Sequence, residues 1–210
     1  MNSLEKRIID ISYTNNIGHL SSNLNAVNII DEIYSTKEKD EIFILSSGHA
    51  ALALYVVMEK YENRDANYLF DTYGVHPHRS LLDNIHCSTG SLGMGLTVAV
   101  GYALANRDKN VYCLISDGEA GEGSIWEALR FIHEARLDNL KVYANVNGMI
   151  AYDFIDKDYL TTRLKAFLPD INIRYTYPPD WPFAKGILTH YYVLKQDDYK
   201  LLCEQYSVNS

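Results

Sequence analysis

Asp117 and Asn147 are the residues whose types and spacing most directly suggest chemistry. Each follows an apolar segment, and the two stand thirty positions apart. Their carboxylate and amide oxygens are hard ligands that suit Mg2+ or Ca2+ better than zinc, and two protein ligands leave coordination positions for phosphate oxygens. With the backbone N–H of Gly118 next in the chain, the pattern favours a metal-bridged diphosphate site. The alternative is an Asp-Gly turn and an Asn-Gly turn, both common in loops.

The segments around these two residues predict a βαβ unit. A strand at 111–115, a helix at 124–136 and a second strand at 140–146 follow one another. Crossovers of this kind are right-handed and join parallel strands, so both strand ends emerge at the edge of the sheet where open α/β folds bind ligands. The sequence therefore predicts that Asp117 and Asn147 lie together at that edge.

The remaining segments predict further helices and strands of one α/β domain spanning residues 1–210. Apolar spacing predicts helices at 4–13, 24–34, 50–60, 91–106, 159–167 and 197–206, and strands at 41–45, 171–175 and 187–194. The expected fold is a doubly wound, mostly parallel sheet with helices on both faces.

Composition excludes several function classes. The chain has 210 residues, 27 of them acidic and 19 Lys or Arg, and the net charge of -8 disfavours a nucleic-acid partner. Neither a G-x-x-x-x-G-K-[ST] nor a G-x-G-x-x-G motif is present, so ATP, GTP and NAD binding lose their usual support. The charged N-terminus, the short apolar runs and three cysteines without C-x-x-C spacing predict a cytoplasmic protein without a membrane anchor.

Several motifs together resemble the cofactor-diphosphate-binding half of transketolases, most closely the form split into two chains. Asp117-Gly118 followed by Asn147 is similar to the family's thiamine diphosphate signature, with Ser116 in place of its leading Gly. Other matching segments are 18–19, 45–50, 76–77, 88–93, 126–128 and 137–140. The resemblance spans about residues 8 to 155.

The resemblance implies a set of cofactor contacts. Asp117, Asn147 and the backbone carbonyl of Met149 would ligate Mg2+, for which Ca2+ or Mn2+ can substitute. Further cofactor-binding positions implied by the family pattern are His49 and Gly118 at the diphosphate, Gly90, Ser91 and Leu92 at the aminopyrimidine ring, and Glu119.

The resemblance also implies catalytic histidines. His19 and His76, together with His49, would face the substrate and move protons, a role suited to a side chain that titrates near neutral pH. Glu122 would lie at a subunit contact that links two active sites. His190 follows a Lys-Gly pair and matches a further family histidine only with distorted spacing. His78, His86 and His133 have no motif around them and are expected to be ordinary surface or helix-face residues.

The implied function is that of an N-terminal subunit. In this family the glutamate that activates the cofactor lies on a pyrimidine-binding domain, so the resemblance implies a heterotetramer in which a dimer of this chain joins a separate partner subunit. Together they would transfer a two-carbon ketol unit from a ketose, a small sugar or sugar phosphate, to an aldehyde. The alternatives are a subunit of a thiamine-diphosphate-dependent 2-oxo acid decarboxylase or carboligase, and a non-catalytic regulatory homologue.

Overall fold

A computed structural model describes residues 3–150 and 153–207 of the chain. Its centre is a sheet of four parallel strands, in the same order in the sheet as along the chain. The strands are β1 (Ile42–Leu45), β2 (Val111–Ser116), β3 (Leu140–Val146) and β4 (Asn172–Tyr175). The described helices are α1 (Ser3–Thr14), α2 (Leu20–Thr36), α3 (Ala51–Glu62), α4 (Ala66–Tyr73), α5 (Met94–Ala105), α6 (Gly123–Glu134), α7 (Lys157–Phe167), α8 (Leu188–Tyr191) and α9 (Gln196–Ser207).

The two faces of the sheet enter two separate hydrophobic cores. On one face, Leu45 of β1 and Leu114 of β2 pack with α1, α2, α3 and α9. On the other face, Ile44 and Cys113 pack with α5, α6 and α7. Successive side chains of a strand point to opposite faces, so an apolar run such as 111–115 contributes to both cores. The predicted α/β fold with helices on both faces is confirmed.

Helix α5 approaches the end of β1 unusually closely. A Cβ atom added at Gly95 would lie 2.6 Å from the Cα of Ser46, so only glycine fits there. This contact explains why the helix tolerates glycine, which costs about 1 kcal/mol relative to alanine in a helix interior. The close approach brings the start of α5 next to the carboxyl end of the sheet.

The sequence prediction was wrong in two places. The segment 187–194, predicted as a strand, contains helix α8 instead, and local bonds such as Leu188 N–H to the Lys185 carbonyl stabilise a turn there. Helix α4 was not predicted, although Asp65 caps it by accepting the N–H groups of Asn67 and Tyr68. The other predicted elements are present with boundaries shifted by a few residues at most.

None of the helices within 3–150 and 153–207 is long and apolar enough to cross a bilayer.

Candidate functional site

A cleft opens at the carboxyl edge of the sheet. Its walls come from the ends of β1, β2 and β3, from the start of α2 and from the segment around α8. The lining residues that matter below are Ser22, His49, Leu92, Asp117, Gly118, Asn147, Met149 and His190. One cleft is therefore shared by His49, which was predicted to be both a cofactor-binding and a catalytic residue, and by five further predicted cofactor or metal positions. These five are Leu92, Asp117, Gly118, Asn147 and Met149.

Asp117 joins the ends of β2 and β3. It is only 3% exposed, and its Oδ2 accepts the backbone N–H groups of Asn147 (2.8 Å), Gly148 (2.7 Å) and Met149 (3.2 Å). Burial raises the pKa of Asp117 to about 6, although the backbone hydrogen bonds act in the opposite direction. The predicted meeting of Asp117 and Asn147 at one edge of the sheet is thus observed.

The loop after β3 is fixed by its own turn. The Oδ1 of Asn147 accepts the N–H of Met149 at 2.7 Å, which closes an Asx turn. Gly148 has a φ of +86°, and a Cβ there would lie 2.9 Å from the Cε of Lys157. The positive φ favours glycine at this position, whereas the flexible Lys157 side chain could move aside, and the loop holds Asn147 and Met149 against the cleft.

The oxygen atoms of this region are of the chemical kind that Mg2+ prefers as ligands. Among the residues of 3–150 and 153–207, Asp117 Oδ1 accepts only the Gly118 N–H, at 3.2 Å, so this oxygen keeps capacity for a ligand bond. Asn147 adds an amide oxygen, and Met149 adds a backbone carbonyl. In the described parts of the chain, no three His, Cys, Asp or Glu residues group closely enough to hold a metal ion. The donor set at the cleft is accordingly one of mixed oxygen atoms, which Mg2+ accepts and zinc does not prefer.

The other predicted cofactor positions divide between the cleft and its surroundings. Leu92 lines the cleft, whereas Gly90, with a φ of +112°, and Ser91 are exposed outside its lining. Glu119 is fully buried, and its carboxylate accepts hydrogen bonds from Ser46, Gly93 and Ser116 rather than lining the cleft. Burial raises the pKa of Glu119, and the hydrogen bonds from Ser46 and the backbone oppose that shift.

The predicted histidines form one cluster, in which His49 lines the cleft and His19 and His76 lie next to it. The ring centroid of His19 is 5.5 Å from that of His49 and 6.4 Å from that of His76. His190 completes the cluster, since its ring centroid is 4.4 Å from His19 and 5.5 Å from His49. The three catalytic histidines expected from the sequence are therefore neighbours, and a fourth joins them.

Hydrogen bonds orient the ring of His190. Its Nε2 lies 2.9 Å from Nδ1 of His19, and its Nδ1 lies 2.8 Å from the hydroxyl of Ser22. The backbone N–H of His19 also donates to the carbonyl of His190 at 2.7 Å. His19 itself has a φ of +58°, a left-handed conformation that is costly for a residue with a side chain. The packing of α8 on α2 thus holds two imidazoles in a fixed relation.

Burial keeps the imidazoles of His19, His49 and His190 neutral near pH 7. Burial, followed by a smaller effect of neighbouring histidines, lowers the pKa of His49 to about 3 and that of His190 to about 4. The pKa of His19 is also lowered, first by burial and then by His76. A neutral imidazole has one donor and one acceptor nitrogen, so each of these rings can donate one hydrogen bond and accept another.

Sequence reasoning missed the positions of two residues. His190 belongs to the cluster, and the Lys-Gly pair before it was the only signal. His86 is half-buried rather than on the surface, and its Nδ1 has no hydrogen-bond partner within the described residues. His78 and His133 are exposed, as expected.

Comparison with models of protein families identifies the family to which the chain belongs. Residues 1–157 match the family model described as 1-deoxy-D-xylulose-5-phosphate synthase. The chain belongs to this transketolase-related family. The resemblance seen in the sequence is therefore confirmed.

Individual relatives support the same family. One of the subunits of apulose-4-phosphate transketolase from Phocaeicola vulgatus is 34% identical over 163 residues, which cover 69% of this chain and 58% of that protein. The 1-deoxy-D-xylulose-5-phosphate synthase of Fusobacterium nucleatum is 32% identical over 151 residues, which cover 70% of this chain and 24% of that enzyme. This chain therefore matches about a quarter of the synthase and about three fifths of the transketolase subunit.

Solved structures share the fold. A transketolase variant from Pichia stipitis superimposes with a TM-score of 0.73 at 19% identity, over 98% of this chain and 41% of that one. The transketolase of Campylobacter jejuni gives a TM-score of 0.62 at 20% identity, over 82% and 36% of the respective chains. At these identities the likeness concerns the fold alone.

Proposed function

We propose that this chain is the diphosphate-binding subunit of a thiamine-diphosphate-dependent, transketolase-like enzyme. In this proposal, residues 1–210 are one diphosphate-binding domain, and a separate subunit supplies the pyrimidine-binding domain. The observation that carries the proposal is the meeting of Asp117 with the 147–149 loop at the cleft, where Asp117 Oδ1 keeps capacity for a ligand. Family membership supports the choice of cofactor.

The strand ends would hold the cofactor's diphosphate. Asp117, Asn147 and the carbonyl of Met149 would ligate Mg2+, or Ca2+ or Mn2+ in its place, and the cation would neutralise part of the diphosphate charge. Leu92 would contact the cofactor from the start of α5, and His49 would approach from the end of β1. When bound, thiamine diphosphate supplies the nucleophilic carbon for transfer of the two-carbon unit.

The histidines would handle protons on the substrate side. The hydrogen bond between His19 and His190 lets a proton move between their rings, and the Ser22 hydroxyl fixes the orientation of His190. His76, which is exposed at the edge of the cluster, would face incoming substrate. Each neutral ring could hydrogen-bond a sugar hydroxyl or carbonyl oxygen, because it offers both a donor and an acceptor nitrogen.

A partner subunit would complete the active site. The Phocaeicola vulgatus relative is named as a subunit of its transketolase rather than as the whole enzyme, which supports a two-chain assembly for this protein. We propose a heterotetramer containing a dimer of this chain, with a small sugar or sugar phosphate as substrate. Glu122, which is exposed directly before α6, would lie at the contact between subunits.

Activity of the assembled complex tests this proposal. The complex would be supplied with a ketose phosphate and an aldehyde acceptor in one assay and with a 2-oxo acid in another. We expect ketol transfer in the first assay and no carbon dioxide release in the second. Release of carbon dioxide would favour a 2-oxo acid decarboxylase, and inactivity in both assays with cofactor bound would favour a regulatory homologue.

A further inference from the structure

Glu119 is a buried carboxylate that the proposed mechanism does not use. It is 0% exposed, and its Oε1 accepts the hydroxyl of Ser46 at 2.5 Å and the backbone N–H of Gly93 at 2.9 Å. Its Oε2 accepts the backbone N–H of Ser116 at 3.0 Å and the Ser116 hydroxyl at 3.5 Å. A buried carboxylate needs several hydrogen-bond donors to offset its lost hydration, and these four donors are all neutral.

The four donor groups belong to three residues, Ser46, Gly93 and Ser116. These residues lie in three different segments that each end at the cleft. Ser46 directly follows β1 and lies shortly before His49. Gly93 stands between Leu92 and the first residue of α5, and Ser116 is the last residue of β2, directly before Asp117. One side chain therefore joins the three segments that carry a histidine, an apolar contact and the principal metal ligand.

Close packing around the Glu119 carboxylate restricts its position. The space between Gly95 of α5 and Ser46 leaves no room for a side chain, so α5 and the end of β1 touch directly beside Glu119. Ser116 stands where the family signature has glycine, and its hydroxyl adds a contact to Glu119 that glycine could not make. The departure from the signature and the buried carboxylate thus occur in the same hydrogen-bond network.

We propose that Glu119 is a positioning residue whose carboxylate holds the ends of β1 and β2 and the start of α5 so that His49, Leu92 and Asp117 face one cleft. The identity of the ligand rests on the proposed function, whereas the joining of the three segments does not. Glu119 acts through these segments and does not itself contact the cofactor.

Glu119→Gln tests the inference with little change in shape. The carboxamide keeps one acceptor oxygen, but its nitrogen is a donor, so either the N–H of Gly93 or the N–H of Ser116 loses its acceptor. Glu59→Gln is a matched control, because Glu59 also pairs with a backbone N–H, that of Ala66, and with Arg7, in a cluster joining α1, α3 and α4. Both variants lose hydrogen bonds of a buried or partly buried carboxylate.

Two measurements are needed. Hydrogen exchange followed by NMR on the full chain without ligand reports the protection of the Gly93 and Ser116 amides. Titration of thiamine diphosphate with Mg2+ into the complex with the partner subunit reports affinity. We expect Glu119→Gln to lose at least tenfold in amide protection and at least tenfold in affinity. We expect Glu59→Gln to change affinity by less than twofold.

Other outcomes have defined meanings. Unchanged or tighter binding by Glu119→Gln would overturn the inference, as would an equal loss in Glu59→Gln, which would indicate general destabilisation. If Glu119→Gln does not fold, Ser46→Ala removes one donor and keeps the carboxylate, and it should weaken binding by a smaller factor. A wild-type complex that binds no thiamine diphosphate would contradict the proposed function, and the amide protection would still decide whether Glu119 joins the three segments.

Discussion

The two sides of the cleft are built differently. On the strand-end side, formed by Asp117, Glu119 and the 147–149 loop, carboxylates accept backbone N–H groups from the ends of strands and helices. On the histidine side, formed by His19, His49, His76 and His190, rings contact rings, and His19 and His190 stand 171 positions apart in the chain. The bonds of the strand-end side also hold the fold together, whereas those of the histidine side mainly orient side chains.

Burial affects the two sides in opposite directions. It raises the pKa of Asp117 to about 6 and lowers that of His190 to about 4, because it disfavours the charged form of each group. Four backbone N–H groups offset the burial of the Asp117 carboxylate, whereas the buried histidines stay neutral and His190 hydrogen-bonds His19 and Ser22. We therefore expect changes on the strand-end side to affect stability and binding together, and changes on the histidine side to affect proton handling more than stability.

The largest expected effect is a loss of stability from a substitution where α5 packs against the end of β1, next to the strand-end side. Gly95→Ala places a Cβ 2.6 Å from the Cα of Ser46, so β1 and α5 must move apart, at a cost of about 3 kcal/mol. Gly101→Ala in the same helix meets nothing within 4 Å and should stabilise the chain by about 0.5 to 1 kcal/mol. Urea unfolding of the two variants measures the difference, and equal stabilities would contradict the close approach.

The next effect concerns the bonds of Asp117. Asp117→Ala leaves the N–H groups of Asn147, Gly148 and Met149 without their acceptor, and we expect a loss of about 2 kcal/mol in the free energy of unfolding. Asp138→Ala, at an exposed position before β3, is the control and should change stability by less than about 0.5 kcal/mol. A loss no greater than that of the control would show that Asp117 does not anchor the loop.

The histidine side should make the chain sensitive to acid. The pKa of His190 falls from 6.5 to about 4 on folding, so its contribution to stability is complete above pH 6.5 and is lost as the pH falls toward 4. His190→Gln removes this titration and should flatten the dependence of unfolding free energy on pH in that range. Parallel urea titrations between pH 7 and 4.5 measure it, and identical slopes for the two proteins would contradict the lowered pKa.

The smallest effect is expected from the orientation of His190. Ser22→Ala removes the hydroxyl that lies 2.8 Å from its Nδ1, at a cost of about 1 kcal/mol or less. The tautomer balance of His190, followed by 15N NMR, should shift in this variant and return in Ser22→Thr. Ser21→Ala, at the neighbouring serine of α2, is the control. A His190 spectrum unaffected by Ser22→Ala would show that the hydroxyl does not orient the ring.

The strand-end side could be predicted well from the sequence. Apolar runs mark β2 and β3, and the parallel crossover between them brings Asp117 and Asn147 to one edge whatever the details of packing. The residues proposed as metal ligands are local to these strand ends. What the sequence did not show was that Glu119 is turned into the protein interior, because its position beside the signature suggested contact with the cofactor.

The histidine side could be predicted only in part. His19, His49 and His76 carry motifs of their own, but His190 reaches them through the packing of α8 on α2, which depends on contacts between distant segments. The apolar residues of 187–194 resemble a strand, and nothing local reveals that β4 already ends the observed sheet. The position of His190 therefore required the tertiary structure.

The most direct test of the central claim is to identify what binds at the strand-end side. The tagged chain and its Asp117→Ala variant would be isolated gently from native cells, and the accompanying proteins and small molecules would be identified by mass spectrometry. The account predicts thiamine diphosphate and a pyrimidine-domain protein with the wild-type chain, and loss of the cofactor from the variant. Absence of thiamine diphosphate from the wild-type complex, or equal amounts in both, would contradict it.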